Sequence, residues 1–143
     1  MHGTLTKIVT ALAAIAGLGV AAPAPAQAAP SAYFEFTDIT NERFVVQLTD
    51  AVKIQHARNL LSGATTDEPH LMGRIVKRPA PYNYRWTYYL QPDRVEFFDY
   101  AIEVCDATIP YVEEHLDEAG GPFLPGLIWC PWTSRLVREL PTP

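Results

Sequence analysis

Between Ile8 and Ala22 the chain carries no charged side chain, and this opening stretch constrains the rest more than any other feature. One cation, Lys7, precedes the apolar run, and Pro23-Ala24-Pro25-Ala26-Gln27-Ala28 follows it. A basic start, a short apolar middle and alanines at alternate positions are the three parts of a secretory signal. Cleavage after Ala28 is the expectation, and the pair Ala24/Ala26 offers the same spacing one step earlier. The competing reading is a membrane anchor. Spanning takes about twenty apolar residues, and Pro23 and Pro25 end this run sooner. No cysteine stands near the cut site to carry a lipid. Residues 1–28 therefore read as a secretory signal peptide, and 29–143 as a single globular domain that is secreted and extracellular.

Loss of residues 1–28 removes one base, Lys7, from the 11 and none of the 16 acids, so 115 residues remain with a formal charge of −6. That length is enough for one hydrophobic core. Nucleic acid and anionic membrane both call for a basic surface, so neither is expected as a partner. Apolar residues are spread along the chain without charge blocks or low-complexity tracts, as in a folded monomer. Two cysteines, Cys105 and Cys130, are present. In an oxidising compartment two thiols most simply form one bridge. A nucleophilic Cys105 helped by His56 or His115 is the sharper alternative, but a reactive thiol outside the cell would be oxidised.

Periodicity outlines the domain. A short strand over Tyr33–Phe36 leads through a turn at Asn41 to Arg43–Leu48, where Phe44, Val46 and Leu48 alternate with polar residues. Asp50 can cap a helix of about 50–62, with Ile54, Ala57 and Leu61 at helical spacing and Gly63 as its stop. A loop to Pro69, a strand over His70–Arg78 with a bulge at Gly73, and a strand over Tyr84–Leu90 come next. After a Pro92 turn, Val95 to about Cys105 reads as a strand in which the apolar phase slips at Phe97-Phe98, the mark of a β-bulge. Thr108 can cap a second helix of about 109–118, and a last strand falls near Ser134–Leu140. The order β-β-α-β-β-β-α-β predicts an α+β domain: a mostly antiparallel sheet of five to six strands, two helices and one disulfide.

Candidate chemistry is sparse. His56, His70 and His115 show no metal-ligand spacing, and neither a metal nor a cofactor is expected. Glu103 and Asp106 flank Cys105 and could meet His115 if the second helix folds back, which would furnish a small hydrolase. Aromatics are the more suggestive group. Tyr84, Trp86 and Tyr88 share one strand face and read as core, and Trp129 and Trp132 as shields for the disulfide. Tyr82, Tyr89 and Trp132 are the candidates for surface contacts, as protein hot spots or as sugar-stacking platforms. An exposed Pro79–Asn83 loop could instead enter the cleft of a target hydrolase as an inhibitor.

Phe34-Glu35-Phe36-Thr37-Asp38, Glu103-Val104-Cys105-Asp106 and Trp129-Cys130-Pro131-Trp132 are among the residues that carry a resemblance. On them, from Phe34 to Arg138, the chain resembles small secreted bacterial proteins related to the N-terminal domain of an amoebal calmodulin-binding protein. The resemblance implies calmodulin binding. A calmodulin target is a basic amphipathic helix, yet the first helix offers only Lys53 and Arg58, and the second carries Glu113, Glu114, Asp117 and Glu118. These residues point instead to a non-enzymatic module that binds a protein or a cell-surface component.

Overall fold

The computed structural model describes residues 14–24 and 29–143. The cut expected after Ala28, and its alternative after Ala26, lie outside the described residues. Residues 14–24 carry no regular structure, and Ile15, Leu18 and Val20 are exposed. Among the described residues no helix is long and apolar enough to cross a membrane.

Alternation sets the first two strands. β1 (Ala32–Thr37) pairs antiparallel with β2 (Arg43–Leu48), and Phe34, Phe36, Phe44, Val46 and Leu48 all point to the buried face. Asn41, in the connecting turn, holds a left-handed φ of 63°, a conformation asparagine tolerates better than most residues. α1 (Ala51–Ser62) begins where the Asp50 carboxylate accepts the N–H groups of Val52 at 2.9 Å and Lys53 at 3.0 Å. It stops at Gly63, whose φ of 78° is the left-handed closure that glycine adopts without strain. The helix buries Ile54 and Ala57 and half-buries Leu61.

β3 (His70–Val76) is the hub of a second, four-stranded antiparallel sheet. It pairs with β4 (Tyr89–Leu90) through Ile75 and Val76 and with β5 (Glu96–Phe98) through residues 70–72. α2 (Ile109–Glu114) follows, then a two-stranded parallel pair of β6 (Ala119–Gly120) and β7 (Phe123–Pro125). β8 (Ile128–Trp129) joins β3 at Gly73 and Arg74, and β9 (Arg135–Leu140) completes a three-stranded sheet in the order β2-β1-β9. The fold is thus α+β with two helices, antiparallel sheets and one disulfide, Cys105–Cys130. The strands are divided among several small sheets; they do not form the one sheet of five to six strands expected above.

Several local expectations need correction. Tyr84–Leu90 is a strand only at Tyr89–Leu90, because Pro81–Asn83 forms a 3-10 turn. Tyr84 accordingly leaves the core phase and is 83% exposed. The strand from Val95 ends at Phe98, and the pairing Met72 to Glu96, Leu71 to Phe97 and His70 to Phe98 is regular. Phe97 and Phe98 are both covered because they face opposite sides, Phe97 toward the main core and Phe98 toward the disulfide. The bulge lies elsewhere, between Glu35 and Phe36 against β9. Nor is Gly73 a bulge. β3 exchanges β5 for β8 there, and a Cβ on Gly73 would stand 3.1 Å from Leu90 Cδ1. The second helix ends at Glu114, short of 118.

One core joins the two larger sheets and both helices, with Trp129 in the middle of it. The Trp129 ring lies against Phe36, Phe44 and Tyr88, and its indole N–H donates to Ala107 O at 2.9 Å. Trp129 thus packs in the core, as expected, but the disulfide it was expected to shield packs instead with Phe98, Met72 and Ala101. Asp38 is the buried carboxylate among the described residues. It accepts from Thr40 N at 2.9 Å, from the Thr40 hydroxyl, and from Ile109 N at 2.6 Å. Asp38 thus caps α2 in place of Thr108, whose hydroxyl makes no cap bond. Asp38→Asn sets an amide N–H against donors and should cost about 2 kcal/mol in a urea titration. An unchanged midpoint would contradict this capping role.

Candidate functional site

The structure separates the three nominated aromatics into two places. Tyr82 and Tyr89 come together: the Tyr82 ring sits 5.1 Å from Tyr33 and 6.3 Å from Tyr89, and the Arg78 guanidinium lies 5.9 Å above Tyr89. Burial, and then the neighbouring Tyr89 and Tyr33, push the Tyr82 phenol well above its ordinary range. Its hydroxyl is shut off from solvent and has no hydrogen-bond partner among the described residues. The Pro79–Asn83 segment is pinned down beside it. Asn83 is buried, accepts from Val45 N at 2.8 Å and donates to Tyr88 O at 3.0 Å. Pro79 and Pro81 remain exposed on this anchored segment, while Ala80 and Asn83 are buried.

Trp132 stands apart from that pair, at the mouth of a hollow of about 230 Å³ lined by His70, Phe98, Asp99, Tyr100, Ala101 and Trp132. It sits on a Pro131–Ser134 turn held from several directions. Trp132 N donates to Asp106 Oδ1 at 2.9 Å, and Ser134 N to Pro131 O at 3.0 Å. Ile39 N reaches Thr133 Oγ1 at 2.9 Å, and the buried Ser134 hydroxyl accepts from Leu71 N at 2.9 Å. The opposite wall is the segment just past β5. The bridge from Cys130 to Cys105, with Cys130 N donating to Cys105 O at 2.8 Å, ties the two sides together.

Two polar groups in this hollow are fixed in direction. His70 has its Nδ1 2.7 Å from Ser134 O, a carbonyl that can only accept, so Nδ1 carries the proton. Nε2 then has no partner among the described residues. Asp99 accepts from Glu68 N at 2.7 Å through Oδ1 alone, which leaves Oδ2 without a partner among the described residues. Glu68 itself is held at a left-handed φ of 46°, a costly backbone for a non-glycine residue, with its carbonyl 3.2 Å from His56 Nε2. The strained turn is gripped at both its N–H and its C=O, and it orients the Asp99 carboxylate. Aromatic surface completes the site: Trp132 is 39% exposed and Tyr100 96% exposed.

Of these lining residues, the sequence alone points to Trp132 and no other. Tyr100 reads there as part of a long strand, and Asp99 carries no motif. The signal that could find them is the phase slip at Phe97-Phe98, which marks the end of β5. The other candidates are not joined. Among the described residues no hydrogen bond or ion pair links Glu103, Asp106 and His115. Asp106 is taken by Trp132 N, while His115 stacks on Tyr111 at 4.0 Å and has its Nδ1 3.0 Å from Tyr111 O. Among the described residues no three His, Cys, Asp or Glu side chains could together hold a metal ion. On α1 both cations are paired, Lys53 with Glu96 at 2.7 Å and Arg58 with Glu139 at 2.7 Å. The Arg58 guanidinium holds the Glu139 carboxyl below its ordinary range.

Comparisons with the curated proteins and with the solved structures find no match. A family model, that of the BP-74 N-terminal domain, matches residues 30–143. The match takes in every strand and helix described above and both cysteines, and it agrees with the resemblance to the calmodulin-binding protein's N-terminal domain. The chain belongs to the BP-74 N-terminal domain family.

Proposed function

We propose that the chain is an exported, non-enzymatic binding module that takes a cell-surface component into the hollow between His70 and Trp132. The observation that carries this reading is the pairing of exposed aromatic faces, Trp132 and Tyr100, with the unpartnered Asp99 Oδ2 and His70 Nε2 in one concavity. Binding sites combine apolar walls with a few convergent polar groups in this way. The polar pair is held rigid by backbone partners, and among the described residues no Ser, Thr, Cys or Lys side chain lines the hollow. Export is supported by the signal-like opening residues 1–28 and by a bridge that belongs to an oxidising compartment. The formal charge of −6 left after that cut disfavours nucleic acid and anionic lipid as the ligand.

The test uses protein recovered from culture medium, which on this reading begins at Ala29, in co-sedimentation with the cell-envelope fraction of the producing cells. Trp132→Ala should lose about 2 kcal/mol of binding, a roughly 30-fold weaker association, as truncation of an aromatic anchor does. Tyr89→Ala should bind as the parent does. The reverse pattern would move the site to the Tyr82–Tyr89 pair.

A further inference from the structure

We infer that the occupant of the His70–Trp132 hollow is a neutral pyranose ring, one residue of a surface polysaccharide. This inference rests on the binding reading above and names its ligand class. Size comes first. A hollow of about 230 Å³ lies below the usual range for drug-sized ligands, about 300–1,000 Å³, and suits one ring better than a length of peptide.

Chemistry narrows it further. A pyranose has an apolar face of axial C–H groups and a rim of hydroxyls. The negative π-face of an aromatic ring attracts those slightly positive C–H groups, and Trp132 and Tyr100 line the hollow with exposed aromatic surface. Hydroxyls need directional partners. Asp99 Oδ2 accepts two O–H bonds at most, and His70 Nε2 in the neutral ring accepts one more. Vicinal hydroxyls on one edge of a sugar suit a carboxylate with a free oxygen.

Charge excludes the main competitors. Among the described residues neither Lys nor Arg lines the hollow, while Asp99 does, so phosphate, sulfate and uronate groups would be repelled. A quaternary ammonium would favour Asp99 and the aromatics, but it needs ring faces on several sides. Phe98 lines the hollow but is only 6% exposed and packed 5.5 Å from the His70 ring, so it adds little open ring face. Nor would such a cation use His70 Nε2.

The experiment is a tryptophan-fluorescence titration of the intact exported protein with a panel of neutral tetrasaccharides: chitotetraose, cellotetraose, mannotetraose and laminaritetraose. Choline chloride is run in parallel. Of the three tryptophans, Trp129 is buried and Trp86 half-buried, so the ligand signal should come from Trp132 and be absent in Trp132→Ala. At least one tetrasaccharide should saturate. Asp99→Asn, which keeps an acceptor for Glu68 N, should weaken that binding about tenfold, and Tyr100→Ala should weaken it without touching the core.

Silence from the whole panel at about 10 mM overturns the sugar assignment. So does saturation by choline with loss in Asp99→Asn. If the panel is silent while Trp132→Ala still abolishes envelope binding, the hollow stands and only its ligand class falls. Envelope binding that survives Trp132→Ala removes the hollow itself.

Discussion

Trp129→Ala should cost the domain about 3–5 kcal/mol, the largest loss expected of any single truncation here. The indole is wholly buried and is the common neighbour of Phe36 and Phe44 from one sheet and of Tyr88 beside the other. Its removal leaves a cavity that three aromatic rings cannot all close, and it strands the Ala107 carbonyl that the indole N–H satisfied. A domain of this size is stable by roughly 5–15 kcal/mol, so a loss of that order brings it near unfolding. The midpoint in urea, followed by far-UV circular dichroism, reports the effect. A shift worth under about 1 kcal/mol would mean that the two sheets do not meet on this residue.

Replacement of both cysteines by serine comes second, at about 3 kcal/mol. The bridge spans 25 residues, and closing a loop of that length restricts the unfolded chain by about that amount. The structural consequence is more specific than the energy. Cys105 anchors the segment that follows Asp99 and Tyr100, whereas Cys130 anchors the turn that presents Trp132. The bridge therefore links the two walls of the hollow. The double Cys105→Ser, Cys130→Ser variant should lose envelope binding at temperatures where circular dichroism still shows it folded. Equal loss of binding and of fold at every temperature would reduce the bridge to a general stabiliser.

Some elements are legible in the sequence because their causes are local. β1 and β2 alternate strictly, and the side chains expected to face inward are buried. α1 lies between Asp50 and Gly63, whose capping chemistry acts within a turn of the helix. The cysteine pairing follows from there being two thiols, and the family relation from residues spread over the whole domain. Elsewhere the same reasoning fails for an identifiable reason. Alternation from Tyr84 to Leu90 and from Val95 to Cys105 looks like strand, but a strand exists only where a neighbour supplies hydrogen bonds. β3 supplies them to Tyr89–Leu90 and to Glu96–Phe98 alone. The short pairs near Gly120 and Trp129 escape a sequence reading because two or three residues carry no period.

The amino-acid order alone thus settled the α+β class, the early strands, the first helix and the one covalent link, all of which depend on neighbours in sequence or on counting. Tertiary structure decided where the concavity lies. His70 comes from one end of β3, Asp99 and Tyr100 from the segment past β5, and Trp132 from the turn before β9. Strand pairing brings the first two segments side by side, and the disulfide draws in the third. A site assembled from three distant segments leaves no spacing to read, because its geometry is set by contacts across the fold.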